Sequence, residues 1–137
     1  MNNSLLGLRV LVVEDEVFVA WLLEEMLTGL GCIVVGPAAR VEQALTMIET
    51  AVPFDVAVLD INLNEEESYP VADALATRSI PFVFSTGYDK DSLPDGYQNF
   101  PILQKPYEQK QLGEALIRLV TPETQKNLND SLLASAL

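Results

Sequence analysis

The stretch Arg9-Val10-Leu11-Val12-Val13-Glu14-Asp15-Glu16 decides how the chain is read. Four apolar residues run straight into three acids. A continuous apolar run of this length marks a strand covered on both faces, because a half-exposed strand would alternate with polar residues. The pattern recurs downstream. Val56-Ala57-Val58-Leu59 ends on Asp60, Phe82-Val83-Phe84-Ser85 on Thr86, and Pro101-Ile102-Leu103 on Gln104-Lys105-Pro106. If the four runs are parallel strands of one sheet, their last residues meet at its carboxyl edge, where open α/β sheets bind ligands. An acid pair, a lone acid, a hydroxyl and a lysine at one edge suit a metal-assisted phosphoryl site.

Between these runs the apolar residues take helical spacing. From Glu16 to Leu30, the residues Val19, Leu23, Met26, Leu27 and Leu30 share one side, and Gly29 and Gly31 mark the stop. Cys32 to Val35 reads as a second strand closed by Gly36-Pro37, and Val41 to Thr50 as a second helix with Ala44, Leu45 and Ile48 inward. Pro53 ends that segment, and Asp55 to Leu59 is the third strand. A polar loop, Asn62 to Ser68, leads to a helix near Val71 to Arg78, with Pro70 suited to its first turn. Pro81 to Ser85 is the fourth strand. The stretch from Tyr88 to Asn99 has the place of a fourth helix but contains Pro94 and Gly96, so a short, frayed or mobile helix is expected. Ile102 to Gln104 is the fifth strand and Glu108 to Val120 the last helix. The expectation is an α/β fold, a doubly wound five-stranded parallel sheet of flavodoxin-like order 2-1-3-4-5 with five helices.

The 137 residues suit one domain. Residues 1–121 form it, and residues 122–137 are a tail, helical or disordered, with Leu128, Leu132 and Leu133 at helical spacing. Cys32 has no partner for a disulfide and reads as an inert core thiol. With 20 acidic against 8 basic residues the net charge is −12, which disfavours nucleic acid and anionic membranes as partners. No segment resembles a membrane span or a signal peptide, so a cytoplasmic location is expected. Histidine is absent, which excludes Ser-His-Asp and Cys-His nucleophile systems and histidine metal sites. Any phosphohistidine must come from another protein.

The strand-end residues make chemical sense together. Mg²⁺ takes hard oxygen ligands and is usually held by one or two carboxylates plus waters and a phosphate. Asp15 and Asp60 end neighbouring strands and suit that role, and Glu14 adds an oxygen or holds a metal-bound water. An aspartate can itself be the nucleophile, forming an aspartyl phosphate. Charge then builds on the equatorial oxygens, for which Lys105 offers a cation and Thr86 a hydroxyl. Taken singly, each has an ordinary reading: Glu14-Asp15 as helix caps, Asp60 and Thr86 as turn residues, Lys105 as a surface lysine, Tyr88 as a partly buried aromatic. Their coincidence at one edge carries the argument.

Assembled, the motifs Val10 to Glu16, Val56 to Leu63, Phe82 to Asp89 and Leu103 to Tyr107 resemble the receiver domain of two-component response regulators over roughly residues 7 to 120. The resemblance implies that Asp60 is the phosphoacceptor. It also implies that Glu14 and Asp15 are the acidic pair and that Asp15, Asp60 and the Asn62 backbone carbonyl hold Mg²⁺. Thr86 becomes the switch hydroxyl, Lys105 the partner of the acyl phosphate, and Lys105–Pro106 a candidate cis peptide bond. One position departs from the pattern: Ile102 stands where receivers commonly carry Tyr or Phe. Phe84-Ser85-Thr86-Gly87-Tyr88 is similar to the signature of the FAT GUY subclass, which begins Phe-Ala-Thr-Gly and includes stand-alone receivers and receivers of bacterial general stress signalling. The switch is therefore expected at Thr86 and Tyr88 with the weak fourth helix.

The resulting expectation is a stand-alone signalling phosphoacceptor. It takes its phosphoryl group from a sensor histidine kinase or a histidine phosphotransfer protein, and it acts on an unknown output protein by contact, with a homodimer left open. It would catalyse only its own phosphorylation and dephosphorylation and so not be a metabolic enzyme. A phosphorelay intermediate, a phosphate sink and a receiver fragment of a longer regulator are alternatives. A flavodoxin-like nucleotide or flavin domain is a rival, but Glu14-Asp15-Glu16 occupies the place of its phosphate loop. A metal-dependent phosphatase with an aspartyl intermediate would want an acid where Asn62 stands.

Overall fold

In a computed structural model, which describes residues 5–121, every apolar run becomes a strand. In chain order the elements are β1 (Arg9–Val13), α1 (Val17–Gly29), β2 (Ile33–Ala38), α2 (Val41–Glu49), β3 (Val56–Asp60), β4 (Asn62–Leu63), β5 (Glu66–Glu67), α3 (Tyr69–Thr77), β6 (Phe82–Thr86), β7 (Ile102–Gln104) and α4 (Gln109–Leu119). The main sheet is parallel with order β2-β1-β3-β6-β7. Counting only its own strands, that is the expected order 2-1-3-4-5.

The sheet separates two apolar layers. Val10, Val12, Val58, Val83 and Leu103 face α1 and α4, meeting Leu23, Leu27, Leu112 and Leu116. Leu11, Val13, Leu59, Phe82 and Phe84 face α2 and α3, meeting Ala44, Ile48, Val71 and Leu75. Successive strand residues point to opposite faces, so covering both faces requires the unbroken apolar runs seen in the sequence. Cys32 is buried in the first layer, and burial pushes its thiol up.

Four α-helices form among the described residues instead of the expected five. Between β6 and β7 the chain makes only a 3₁₀ turn, Lys90–Ser92. Pro94 has no N–H to give an α-helix, and Gly96 loses more backbone entropy than any other residue on entering one. Side chains hold the segment instead. Leu93 is buried, Tyr97 stacks 4.4 Å from Tyr69, and Phe100 lies 4.8 Å from Phe82. The Tyr97 hydroxyl donates to Asp73 Oδ1 at 2.9 Å.

Two further departures are local. The stretch Asn62 to Ser68 folds into the small antiparallel ribbon β4–β5, turned by Asn64 at φ 59°. Asparagine tolerates that left-handed region better than most residues. β2 continues through Gly36-Pro37 to Ala38, with a register shift against β1. Gly36 at φ 97° permits it, because a Cβ there would lie 3.0 Å from Val12 O and from Ala38 N. The peptide bonds before Pro37 and Pro106 are cis. The tail, residues 122–137, lies outside the described residues. Among the described residues no helix is long and apolar enough to cross a membrane.

Candidate functional site

The carboxyl edge gathers the strand-end residues. Glu14 and Asp15 follow β1, Asp60 ends β3, Thr86 ends β6, and Lys105 follows β7. Alternation places Glu14 and Asp60 on the α1/α4 side, above Val12 and Val58. One carboxylate oxygen from each of Glu14, Asp15 and Asp60 lies within 4.8 Å of the others. On the other side of the acids, Lys105 Nζ is 3.0 Å from Glu14 Oε1 and 3.6 Å from Asp60 Oδ2.

The neighbourhood is half sheltered, and its electrostatics follow from that. The Glu14 side chain is 2% exposed, that of Asp60 13% and that of Lys105 28%. Burial pushes Glu14 up to about 7; the Lys105 ammonium opposes this and the neighbouring Asp60 adds to it. Asp60 is also raised, chiefly by burial, with Glu14 as hydrogen-bond donor and Lys105 pulling it back down. Lys105 is raised because the gain from Glu14 and Asp60 exceeds the penalty of burial. Carboxyls crowded this closely hold a shared proton or a cation.

These acids are fixed by backbone contacts. The Glu16 N–H donates to Glu14 Oε2 at 3.2 Å, and the Asn64 N–H to Asp15 Oδ2 at 2.9 Å. Glu14 thus meets the residue that precedes α1, and no side-chain cap hydrogen bond closes the helix start. The β4–β5 ribbon ties its turn to Asp15 through Asn64. Ser68 Oγ donates to the Asp60 carbonyl at 2.6 Å and steadies the acid's own backbone. The donor set is all oxygen, anionic and clustered, which fits Mg²⁺. Glu14, Asp15 and Asp60 would hold it, with the backbone of Asn62 two residues beyond Asp60.

The structure brings Thr86 and Tyr88 to the same edge but not Ile102. Thr86 is buried, and its hydroxyl accepts the Tyr88 N–H at 3.1 Å, leaving its own proton free to donate. The Tyr88 ring is 50% exposed, and its hydroxyl accepts from Asn62 Nδ2 at 3.1 Å. The loop after the acid and the loop after the threonine are thus linked. Ile102 opens β7, pairs with Phe84 and packs into the α2/α3 layer away from the acids.

Two features escaped the sequence reading. Val17, Phe18, Trp21 and Leu22 on α1 are exposed, and Phe18 lies 6.1 Å from Trp21. With Glu14 and Asp15, Val17 and Trp21 line a cleft of about 230 Å³. The signal was present, since residues 17–23 are apolar on every side and one helix face can bury only some of them. The other feature is a hydrogen bond of 2.9 Å between the hydroxyls of Ser85 and Tyr107. No periodicity announces that pairing.

Comparison with known proteins agrees with this geometry. The family of the response regulator receiver domain matches residues 10–117. SdrG from Sphingomonas melonis is 41% identical, covering 86% of this chain and 99% of that one, with a TM-score of 0.72. The beryllofluoride-activated conformation of SdrG, from Pseudomonas melonis, covers 82% of this chain and 96% of that one at the same identity of 41% and TM-score of 0.72. The anti-anti-sigma factor PhyR from Bartonella quintana is 26% identical, with a TM-score of 0.69; 96% of this chain matches 52% of that one. No curated protein matches the chain. From its sheet order, its acidic edge and the matched residues, the chain belongs to the response regulator receiver domain family.

Proposed function

We propose that the protein is a signalling phosphoacceptor whose acceptor is Asp60. The observation that carries this reading is the carboxylate trio with Lys105 on its flank. A partner's phosphohistidine presents the phosphorus. An Asp60 carboxylate oxygen attacks it, the P–N bond breaks, and the imidazole leaves and picks up a proton. Glu14, Asp15, Asp60 and the Asn62 carbonyl would hold Mg²⁺, which would supply positive charge against the phosphoryl oxygens. Lys105 turns from Glu14 and Asp60 to the acyl phosphate, and the free proton of Thr86 donates to one of its oxygens.

The same reading assigns the readout to the link from Thr86 through Tyr88 to Asn62. Once the Thr86 hydroxyl turns to the phosphoryl group, its contact with the Tyr88 amide is remade, and the segment from Tyr88 to Phe100 shifts. The phosphodonor is a sensor histidine kinase or a phosphotransfer protein, and the exposed apolar face of α1 beside the acids suits a helical one. The output is protein contact. Likeness to an anti-anti-sigma factor PhyR supports a regulatory role; the same proposal has the protein act alone, in the cytoplasm, in bacterial stress signalling, and not as a metabolic enzyme.

The test is phosphotransfer from a phosphorylated kinase to wild type and to Asp60→Asn. Label should pass to wild type in the presence of Mg²⁺ and not to the variant; equal labelling of both would refute the assignment. Exchange NMR with beryllofluoride tests the readout, which fails if residues 88–100 stay unchanged.

A further inference from the structure

We infer that the Ser85–Tyr107 hydroxyl pair positions Lys105 and so sets how firmly the protein holds a phosphoryl group, an inference that rests on Asp60 being the acceptor. Lys105 leaves the sheet on a loop with no helix or strand of its own to hold it; α4 begins only at Gln109. Two hydrogen bonds fasten that loop to β6, at consecutive residues of the strand. The Lys105 N–H donates to the Thr86 carbonyl at 2.7 Å, and the Tyr107 hydroxyl meets Ser85 Oγ at 2.9 Å. The first fixes where the lysine's backbone starts. The second fixes the chain two residues later and stops the loop from swinging about the first.

Ser85 is suited to this. It is 2% exposed and stands level with Asp60 on one side and with Leu103 on the other. It faces the same layer as Val83, Leu103 and the half-buried Tyr107 ring. Among the described residues no other hydrogen bond of its side chain competes. A buried hydroxyl left alone is unfavourable, so the pair holds together wherever the ring is packed. The phenol also sits close enough to be felt electrostatically by Lys105, Glu14 and Asp60. Ser85 and Tyr107 are positioning residues that act through the ammonium of Lys105.

The experiment titrates beryllofluoride in Mg²⁺ into wild type, Ser85→Ala, Tyr107→Phe and the double variant, each also made with Lys105→Ala. Unfolding curves confirm that every variant folds. With Lys105 present, either single change should weaken binding roughly two- to twelve-fold, the equilibrium equivalent of one neutral hydrogen bond. The double variant should lose no more than a single one. With Lys105→Ala the difference should vanish, which a purely structural role would not produce. Wild-type affinity in both single variants, or the same loss with Lys105→Ala, would overturn the inference. If wild type itself shows no Mg²⁺-dependent binding, or Asp60→Asn binds equally well, the acceptor assignment fails and takes the inference with it.

Discussion

Replacing Lys105 with methionine keeps the apolar stem and removes the cation that lies 3.0 Å from Glu14 and 3.6 Å from Asp60. Its effect on stability should depend on pH as no packing defect would. Glu14 is held up to about 7, against an ordinary value of 4.5, first by burial, with Lys105 pulling it down. The folded state therefore binds this proton more tightly than the unfolded state. The stabilising contribution is complete below pH 4.5 and is lost as pH rises through about 7. Without the lysine the folded value climbs further, so the Glu14 proton opens a gap between variant and wild type above about 7, at about 1.4 kcal/mol per pH unit. At about pH 5 the difference between the two proteins should be smallest. At about pH 9 the Glu14 proton alone makes the variant up to about 3 kcal/mol less stable, about 10 °C in Tm for a domain of this size. Asp60, also raised by burial, adds in the same direction. The assay is urea unfolding followed by circular dichroism, in chelator, at both pH values. Equal loss at the two, or a larger loss in acid, would refute the electrostatic account.

Other perturbations test other links. Gly36→Ala forces a left-handed backbone and drives a Cβ to 3.0 Å from backbone atoms, so it should lower stability by about 2 kcal/mol or more in denaturant unfolding. Tyr97→Phe removes the hydrogen bond to Asp73; a loss of about 1 kcal/mol is expected, with faster amide exchange confined to the segment after β6. Truncating both Phe18 and Trp21 to alanine should slow phosphotransfer from a phosphohistidine protein about tenfold or more while leaving labelling by acetyl phosphate unchanged. A parallel change with both donors would show that the α1 face is not a docking surface.

The sheet was legible because both of its faces are buried, which forces uninterrupted apolar strands, and because the charged groups at its edge stand directly after those strands. Glu14, Asp15, Asp60 and Lys105 are legible in that way, and the structure brings them together. The missing helix after β6 was half legible. Pro94 and Gly96 showed what could not form, but not that Tyr97 and Phe100 would anchor the segment against Tyr69 and Phe82. That stacking joins residues distant in sequence and leaves no periodic trace. Ser85 and Tyr107 were hidden for the same reason, since a hydroxyl at the end of a strand looks like ordinary turn chemistry. The α1 face was misjudged differently. Its buried side is legible at Leu23 and Leu27, whereas helical spacing says nothing of what meets the exposed Val17, Phe18, Trp21 and Leu22.

The exposed indole on that helix has a practical consequence. Trp21 is the chain's single tryptophan, it is 51% exposed, and it shares a cleft with Glu14 and Asp15. Indole emission responds to solvent polarity and to nearby charge, so the protein carries its own optical reporter at the mouth of the site. An ion seated on the carboxylates changes the field at the ring while leaving it wet, and a helix laid across it excludes water and moves its emission to shorter wavelength. Two events at one edge can then be told apart in a cuvette, without a label and without altering a residue.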